Sequence, residues 1–208
     1  QNNVQGACDL GALPNVLPGY RPVTDEQSRA AAATVWGVAT LPATPGLTVV
    51  EMTHAAADGR VRAMYVMGEN PMLSDPDVGH VEQALRALDL LVVQDIFVSE
   101  TAALAHVILP ASSSLEKDGT FTNTERRVQL LAPVLPLPGE ARPDWQIICA
   151  LGACLERALG RDRDATKWQF ASTAEVMVEA ARVTPIYGGI RHERLAGEGM
   201  IWPCPTVD

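Results

Sequence analysis

Residues 93–129 read VQDIFVSETAALAHVILPASSSLEKDGTFTNTERRVQ. The stretch begins inside an apolar strand that ends in the polar pair Gln94-Asp95, and Ser99 then caps a short helix. A second strand follows at His106–Leu109, stopped by Pro110, and a polar loop holds Lys117. An α/β protein builds a pocket for an anionic nucleotide in this way, at the carboxyl edge of a parallel sheet.

Upstream the rhythm continues. Val61–Met67 reads as a strand, and Asp75 is expected to cap a helix with Pro76 at its first position. Val78, Val81, Leu85 and Leu88 then recur at spacings of three, four and three, one helical stripe. Asp89 closes that helix before the strand Leu90–Val93. This strand is apolar throughout, so it is expected to be covered on both faces. Strands alternating with helices and lacking hairpin signals give βαβ units with right-handed crossovers. The fold class is therefore α/β: a Rossmann-like, mostly parallel sheet with helices on both faces.

The flanks read less regularly. Residues 1–22 are rich in Asn, Gly and Pro and read as an ordered loop. A helix is expected over Thr24–Trp36 with Thr24 as cap, and another over Leu47–Asp58 ended by Gly59. Val128–Val134 reads as an outer strand. Pro143 opens a helix to Leu159, with Trp145, Ile148, Cys149, Leu155 and Leu159 on or near its buried side. Ser172–Arg182 is a further helix, and residues 187–208 form a wrapping tail. By segment type the chain divides into 1–60, 61–160 and 161–208, all within one structural domain.

Composition narrows the function. The 208 residues are 47% hydrophobic and 20% charged, with a net charge of −9. A nucleic-acid binder needs a basic face, so no nucleic-acid partner is expected. No apolar run approaches the roughly 20 residues of a membrane span, and no signal sequence opens the chain. Cys8, Cys149, Cys154 and Cys204 show no C-x-x-C pair. They read as buried free thiols of a reducing, cytoplasmic protein. His54, His80, His106 and His192 are scattered without metal-ligand spacing, and no nucleophile–base constellation is present. Neither a catalytic residue nor a metal ligand is assigned.

Candidate binding residues cluster at strand ends. Gly68-Glu69-Asn70-Pro71 follows the strand at Val61–Met67. Gly68 permits close approach to a ligand and Asn70 offers donor and acceptor, although the tetrapeptide alone reads as an ordinary turn. Gln94 and Asp95 end the next strand. Asp95 takes the hydroxyls of a ribose or, equally, braces the following loop. Lys117, one of only two lysines, is a surface charge or a partner for pyrophosphate. Glu125, Arg126 and Arg127 equally well brace its loop by ion pairs. Asp144, in the first turn of a helix, suits the helix dipole and also the ring N–H and amine of a guanine. Gln1, Asn2, Asn3 and Gln5 supply carboxamides that bond backbone and heterocycle edges alike.

Several of these segments carry a resemblance. QNNVQGACD at 1–9, GALPNVLPGY at 11–20, GENP, VVQD, VILP with LEKDG, NTERR, PDWQI and WPCP span almost the whole chain. They resemble the molybdopterin-guanine-dinucleotide oxidoreductases, and within them the formate dehydrogenase alpha subunits. The resemblance implies a fragment of the DMSO reductase superfamily in which two copies of the dinucleotide (bis-MGD) hold molybdenum or tungsten. It implies that Asn70, Gln94, Asp95, Lys117 and Asp144 contact the nucleotide part of one copy, with Gly68 beside them, and that Gln1 lies along the pterin. It further implies formate as substrate of the parent enzyme, electron-transfer partner subunits, and remaining domains of the same chain. In this expectation the metal-ligating cysteine or selenocysteine, its histidine, the active-site arginine and a 4Fe-4S cluster lie upstream of Gln1. A β-barrel domain lies beyond Asp208. Cys8 is accordingly not a metal ligand, and the piece alone is not an active enzyme. Two other readings stand beside this one. The first is another oxidoreductase of the superfamily, nitrate reductase-like. The second is a cofactor-free electron-transfer scaffold like those of respiratory complex I. The isolated piece could also hold free guanine nucleotide weakly.

Overall fold

A computed structural model describes residues 3–161 and 164–208. In chain order the elements are α1 (Val4–Asp9), β1 (Val16–Leu17), β2 (Arg21–Pro22), α2 (Glu26–Trp36), α3 (Val49–Ala57), β3 (Ala63–Met67), α4 (Pro71–Ser74), α5 (Val78–Arg86) and β4 (Leu90–Asp95). They continue with β5 (Val107–Pro110), β6 (Gly119–Thr122), β7 (Arg127–Leu131), α6 (Asp144–Ala158), α7 (Thr173–Val183) and β8 (Met200–Ile201).

Contacts divide the chain into two compact units. One comprises the residues up to Gly46, Asp118–Ala132 and Phe170–Asp208; the other comprises Leu47–Lys117 and Pro133–Gln169. This division interleaves segments, whereas the division by segment type runs in simple chain order.

The second unit holds the α/β core. β3, β4 and β5 form a parallel sheet in that order, with Met67 level with Gln94, and Gln94 level with Leu109. Leu91 and Val93 of β4 pack on Ala56 of α3 and on Val81, Ala84 and Leu85 of α5. Burying these side chains stabilises the unit by about 1.5–3 kcal/mol for each large residue. Leu88 joins that core, but Val78 of the expected stripe is 41% exposed. The expectation that β4 is covered on both faces needs correction. Leu90 is exposed, and on that same face only Gln94 is fully buried. An apolar run does not reveal how many covering layers its own chain segment supplies.

Caps shift by one or two residues from the sequence reading. Asp77, not Asp75, caps α5, accepting the His80 N–H at 3.1 Å. Asp75 instead accepts the Asp77 N–H in the turn after α4, the one-turn helix that Pro71 opens. Asp25 rather than Thr24 caps α2, accepting the Ser28 N–H at 2.8 Å. Adjacent cap-competent residues are indistinguishable until the chain direction into the helix is fixed. Thr48 and Glu51 form a reciprocal capping box on α3. α6 starts where expected but is rotated about its axis. Ile147 and Gly152 are buried, while Ile148, Leu155 and Leu159 are exposed. Gly152 is explained by Trp168, whose indole lies 2.3 Å from where a Cβ would stand. Cys154 is exposed on that helix and the other three cysteines are half-buried, so none is in a disulfide and none is fully buried as expected.

In the first unit β7 pairs antiparallel with β6 and β8 in a separate sheet. The segment expected as an outer strand thus belongs to another sheet and ends at Leu131. The polar loop contributes β6, which sequence reading missed because GTFT lies among loop-like residues. The N-terminal segment, read as a loop, contains α1 and the short β1–β2 pair. Val128, Met177, Tyr187, Ile190 and Leu195 form this unit's main core. No helix among the described residues is long and apolar enough to cross a membrane.

Candidate functional site

Parallel pairing brings the carboxyl ends of β3, β4 and β5 to one edge of the sheet. Beyond β5 the chain returns to that edge. Ala111 and Arg142 form a parallel bridge, and the Arg142 N–H donates to the Pro110 carbonyl at 3.1 Å. Pro143 then starts α6 with Asp144 in its first turn. The loop carrying Lys117 is held by a turn at Ser113–Glu116 and by the Leu115 carbonyl, which accepts the N–H groups of Val134 and Leu135.

Three of the residues singled out in the sequence meet there. The Gln94 amide nitrogen donates to Asp144 Oδ1 at 2.5 Å. The Lys117 ammonium donates to the Ser112 carbonyl at 3.0 Å and pairs with Asp144 Oδ2. A fourth member, Tyr65 of β3, was not anticipated; its hydroxyl donates to Gln94 Oε1. Gln94 is fully buried, whereas the Lys117 and Asp144 side chains are 22% and 26% exposed. Burial, and then the nearby Asp144 charge, push the Tyr65 phenol above its ordinary pKa, so it stays a donor. The only sequence signal for Tyr65 was its place two residues before a strand end.

The other candidates sit on the same edge with local partners. Gly68 follows β3 at φ +63°, its N–H donates to the Gln94 carbonyl at 2.9 Å, and open space surrounds the position of a Cβ. Its conformation therefore asks for glycine, and no neighbour crowds it. Asn70 accepts from the Thr101 N–H and hydroxyl and donates to Glu100 at 2.7 Å, tying two strand-end loops together. Asp95 Oδ1 accepts the Ile96 N–H at 2.7 Å, the bracing arrangement. The Ser112 hydroxyl and the Trp145 indole N–H are buried without a hydrogen-bond partner among the described residues. Gln1 lies outside the described residues.

Glu125 and Arg127 form an ion pair at 2.7 Å, and Arg126 stacks over Trp202, 5.1 Å from the ring centre. Both belong to the first unit. That unit has a polar cluster of its own, which sequence reading did not find. Asp9, fully buried, accepts from Gln5 at 2.8 Å, Tyr20 at 2.9 Å and Tyr187 at 2.7 Å. The Tyr187 hydroxyl also meets Thr122 Oγ1 at 2.9 Å, and Asn3 accepts the Thr122 N–H at 2.9 Å. Two carboxamides of the opening segment thus serve the fold. His106 does likewise, its ring nitrogen accepting the Leu91 N–H at 2.9 Å. No group of three or more His, Cys, Asp or Glu side chains placed to hold a metal ion occurs among the described residues.

The family model described as molybdopterin oxidoreductase matches residues 1–153. The F420-dependent formate dehydrogenase 1 subunit alpha of Methanococcus maripaludis is 49% identical over 208 residues, all of this chain and 29% of that protein. The probable oxidoreductase YjgC of Bacillus subtilis is 50% identical over 203 residues, 97% of this chain and 20% of that protein. Formate dehydrogenase H of Escherichia coli is 40% identical over 98% of this chain and 27% of its own length. The chain therefore spans under a third of these relatives. Among solved structures, acetylene hydratase from Pelobacter acetylenicus superposes with a TM-score of 0.54 at 19% identity. That match covers 82% of this chain and 23% of that one, a likeness of fold.

Proposed function

We propose a function for a chain that belongs to the molybdopterin oxidoreductase family: it cradles the guanosine tail of a molybdopterin guanine dinucleotide in a formate dehydrogenase alpha subunit. The supporting observation is the meeting of Gln94, Lys117 and Asp144 at one sheet edge, from three separate stretches of sequence. The residues fit such a group. Asp144 keeps lone pairs beyond those given to Gln94 and Lys117, and part of its carboxylate is open to solvent. Open space adjoins Gly68, and the Ser112 hydroxyl is an unspent buried donor near Lys117.

In this reading Asp144 accepts the ring N–H and exocyclic amine of guanine. Asp95 and Asn70 face the ribose end, Gly68 offers an unobstructed backbone, and Lys117 supplies positive charge in a chain of net charge −9. Gln1 approaches the pterin. When bound, that group would supply the two-electron redox chemistry by which formate is oxidised to carbon dioxide. The protein's part is to bind and orient that group. A 4Fe-4S cluster and electron-transfer subunits beyond this chain complete the proposed enzyme.

A cofactor-free scaffold of the same fold is favoured by one observation: Lys117 and Asp144 already satisfy each other. Metal and pterin analysis of the full-length parent, made in a host that synthesises the cofactor, separates the two. Molybdenum or tungsten with guanine-bearing pterin and formate-dependent dye reduction are expected. Metal-free, inactive protein would establish the scaffold instead.

A further inference from the structure

The Tyr65–Gln94–Asp144 chain has a direction, and the direction is forced. A carboxylate only accepts, so the Gln94 amide must turn its nitrogen toward Asp144 Oδ1. Its oxygen then points back across the sheet to β3. Gln94 is fully buried, and an amide oxygen left there without a donor is costly. Tyr65 supplies that donor. Parallel strands place the two side chains on the same face, Tyr65 two residues before the strand end that Gln94 adjoins. Lys117 fixes the other carboxylate oxygen. Both oxygens of Asp144 are thus held in a set plane, one by a cation and one by a neutral relay.

From this geometry we infer that Tyr65 is a positioning residue for base discrimination, acting through Gln94 to aim the Asp144 carboxylate at a purine whose ring N–H and exocyclic amine lie side by side. The inference rests on the guanine reading above. Without the Tyr65 hydroxyl the buried Gln94 oxygen has no donor, and the amide is anchored at one end only. It would then no longer hold Oδ1 in a fixed direction. A base with both donors loses most from that change. Hypoxanthine, which has the ring N–H but no amine, loses least.

The test compares GDP with IDP, titrated calorimetrically into full-length parent produced in a host unable to make molybdopterin. The parent is expected to prefer GDP. Tyr65→Phe, which keeps the ring at a position 38% exposed, is expected to lower the GDP-over-IDP ratio about tenfold, with IDP affinity changed less than about twofold. Equal weakening of both nucleotides, or no change in either, overturns the inference, since packing alone does not choose between bases. On an Asp144→Asn background Tyr65→Phe is expected to lower the ratio no further. A second, additive drop overturns the relay. A parent that binds GDP no better than IDP fails the guanine reading itself, and the relay falls with it.

Discussion

Asp9 and Asp144 each centre a hydrogen-bond network containing tyrosine, one in each unit, yet they are held in different ways. Asp9 is fully buried and accepts from three neutral donors on α1, the turn after β1 and the tail. It pairs with no cation in that cluster, and its donors leave it little capacity for anything else. Asp144 is a quarter exposed, shares one oxygen with a lysine and the other with an amide, and stands in the first turn of α6. The first arrangement joins chain segments distant in sequence. The second leaves lone pairs that a ligand can use. Burial and the charge of the partners, rather than the presence of a carboxylate, separate a structural clamp from a site.

The largest effect tests the clamp. Asp9→Ala is expected to lower unfolding stability by about 3 kcal/mol, because a cluster around a fully buried carboxylate loses three hydrogen bonds at once. Urea unfolding of the parent, followed by fluorescence, reads it; a loss under roughly 1 kcal/mol would show that the clamp bears little of the fold. Asp144→Ala should cost less stability than Asp9→Ala, about 1 kcal/mol from the Gln94 amide nitrogen left without its acceptor, and reduce bound molybdenum and guanine-bearing pterin about tenfold, from a deficit of roughly 1–3 kcal/mol. Unchanged metal content in that variant removes the contrast between the two carboxylates.

Lys117→Ala is expected to weaken cofactor retention by less than about 1 kcal/mol, and more at low salt than at high salt. A loss independent of salt would make Lys117 a packing residue. The smallest effect concerns pH. Burial first, then its bond to Asp9, raise the Tyr20 phenol from its ordinary value near 10 to about 12. Since the folded value exceeds the unfolded one, Tyr20 contributes stability that is complete below pH 10 and lost as pH rises toward about 12. Tyr20→Phe should therefore flatten the stability profile in that window, and an identical profile would detach Tyr20 from the clamp.

Much of the α/β core was legible because its signals are local. Val81, Leu85 and Leu88 lie on one helical face and do enter the core, and β3, β4 and β5 fall within a residue or two of their expected bounds. Polar residues at three strand or helix ends marked the site edge. Val78 and the rotated face of α6 were misread, since periodicity gives a stripe but not its width or its neighbour. β6 was missed because four residues of mixed polarity pair only when a partner strand is present. Tyr65 carried no motif of its own.

The sequence by itself determined the alternation of strands and helices in the α/β core, the acidic balance, and the polar residues waiting at strand ends. Those follow from periodicity, capping chemistry and composition, which act within a few residues. Tertiary structure alone decided which of these residues meet. Lys117 reaches Asp144 across 27 positions, Gln94 reaches it across 50, and Tyr187 reaches Asp9 across 178. Contacts over such separations depend on how the sheet pairs and how the chain returns to its edge. Whether a carboxylate becomes a clamp or a site is settled by the water that packing leaves around it.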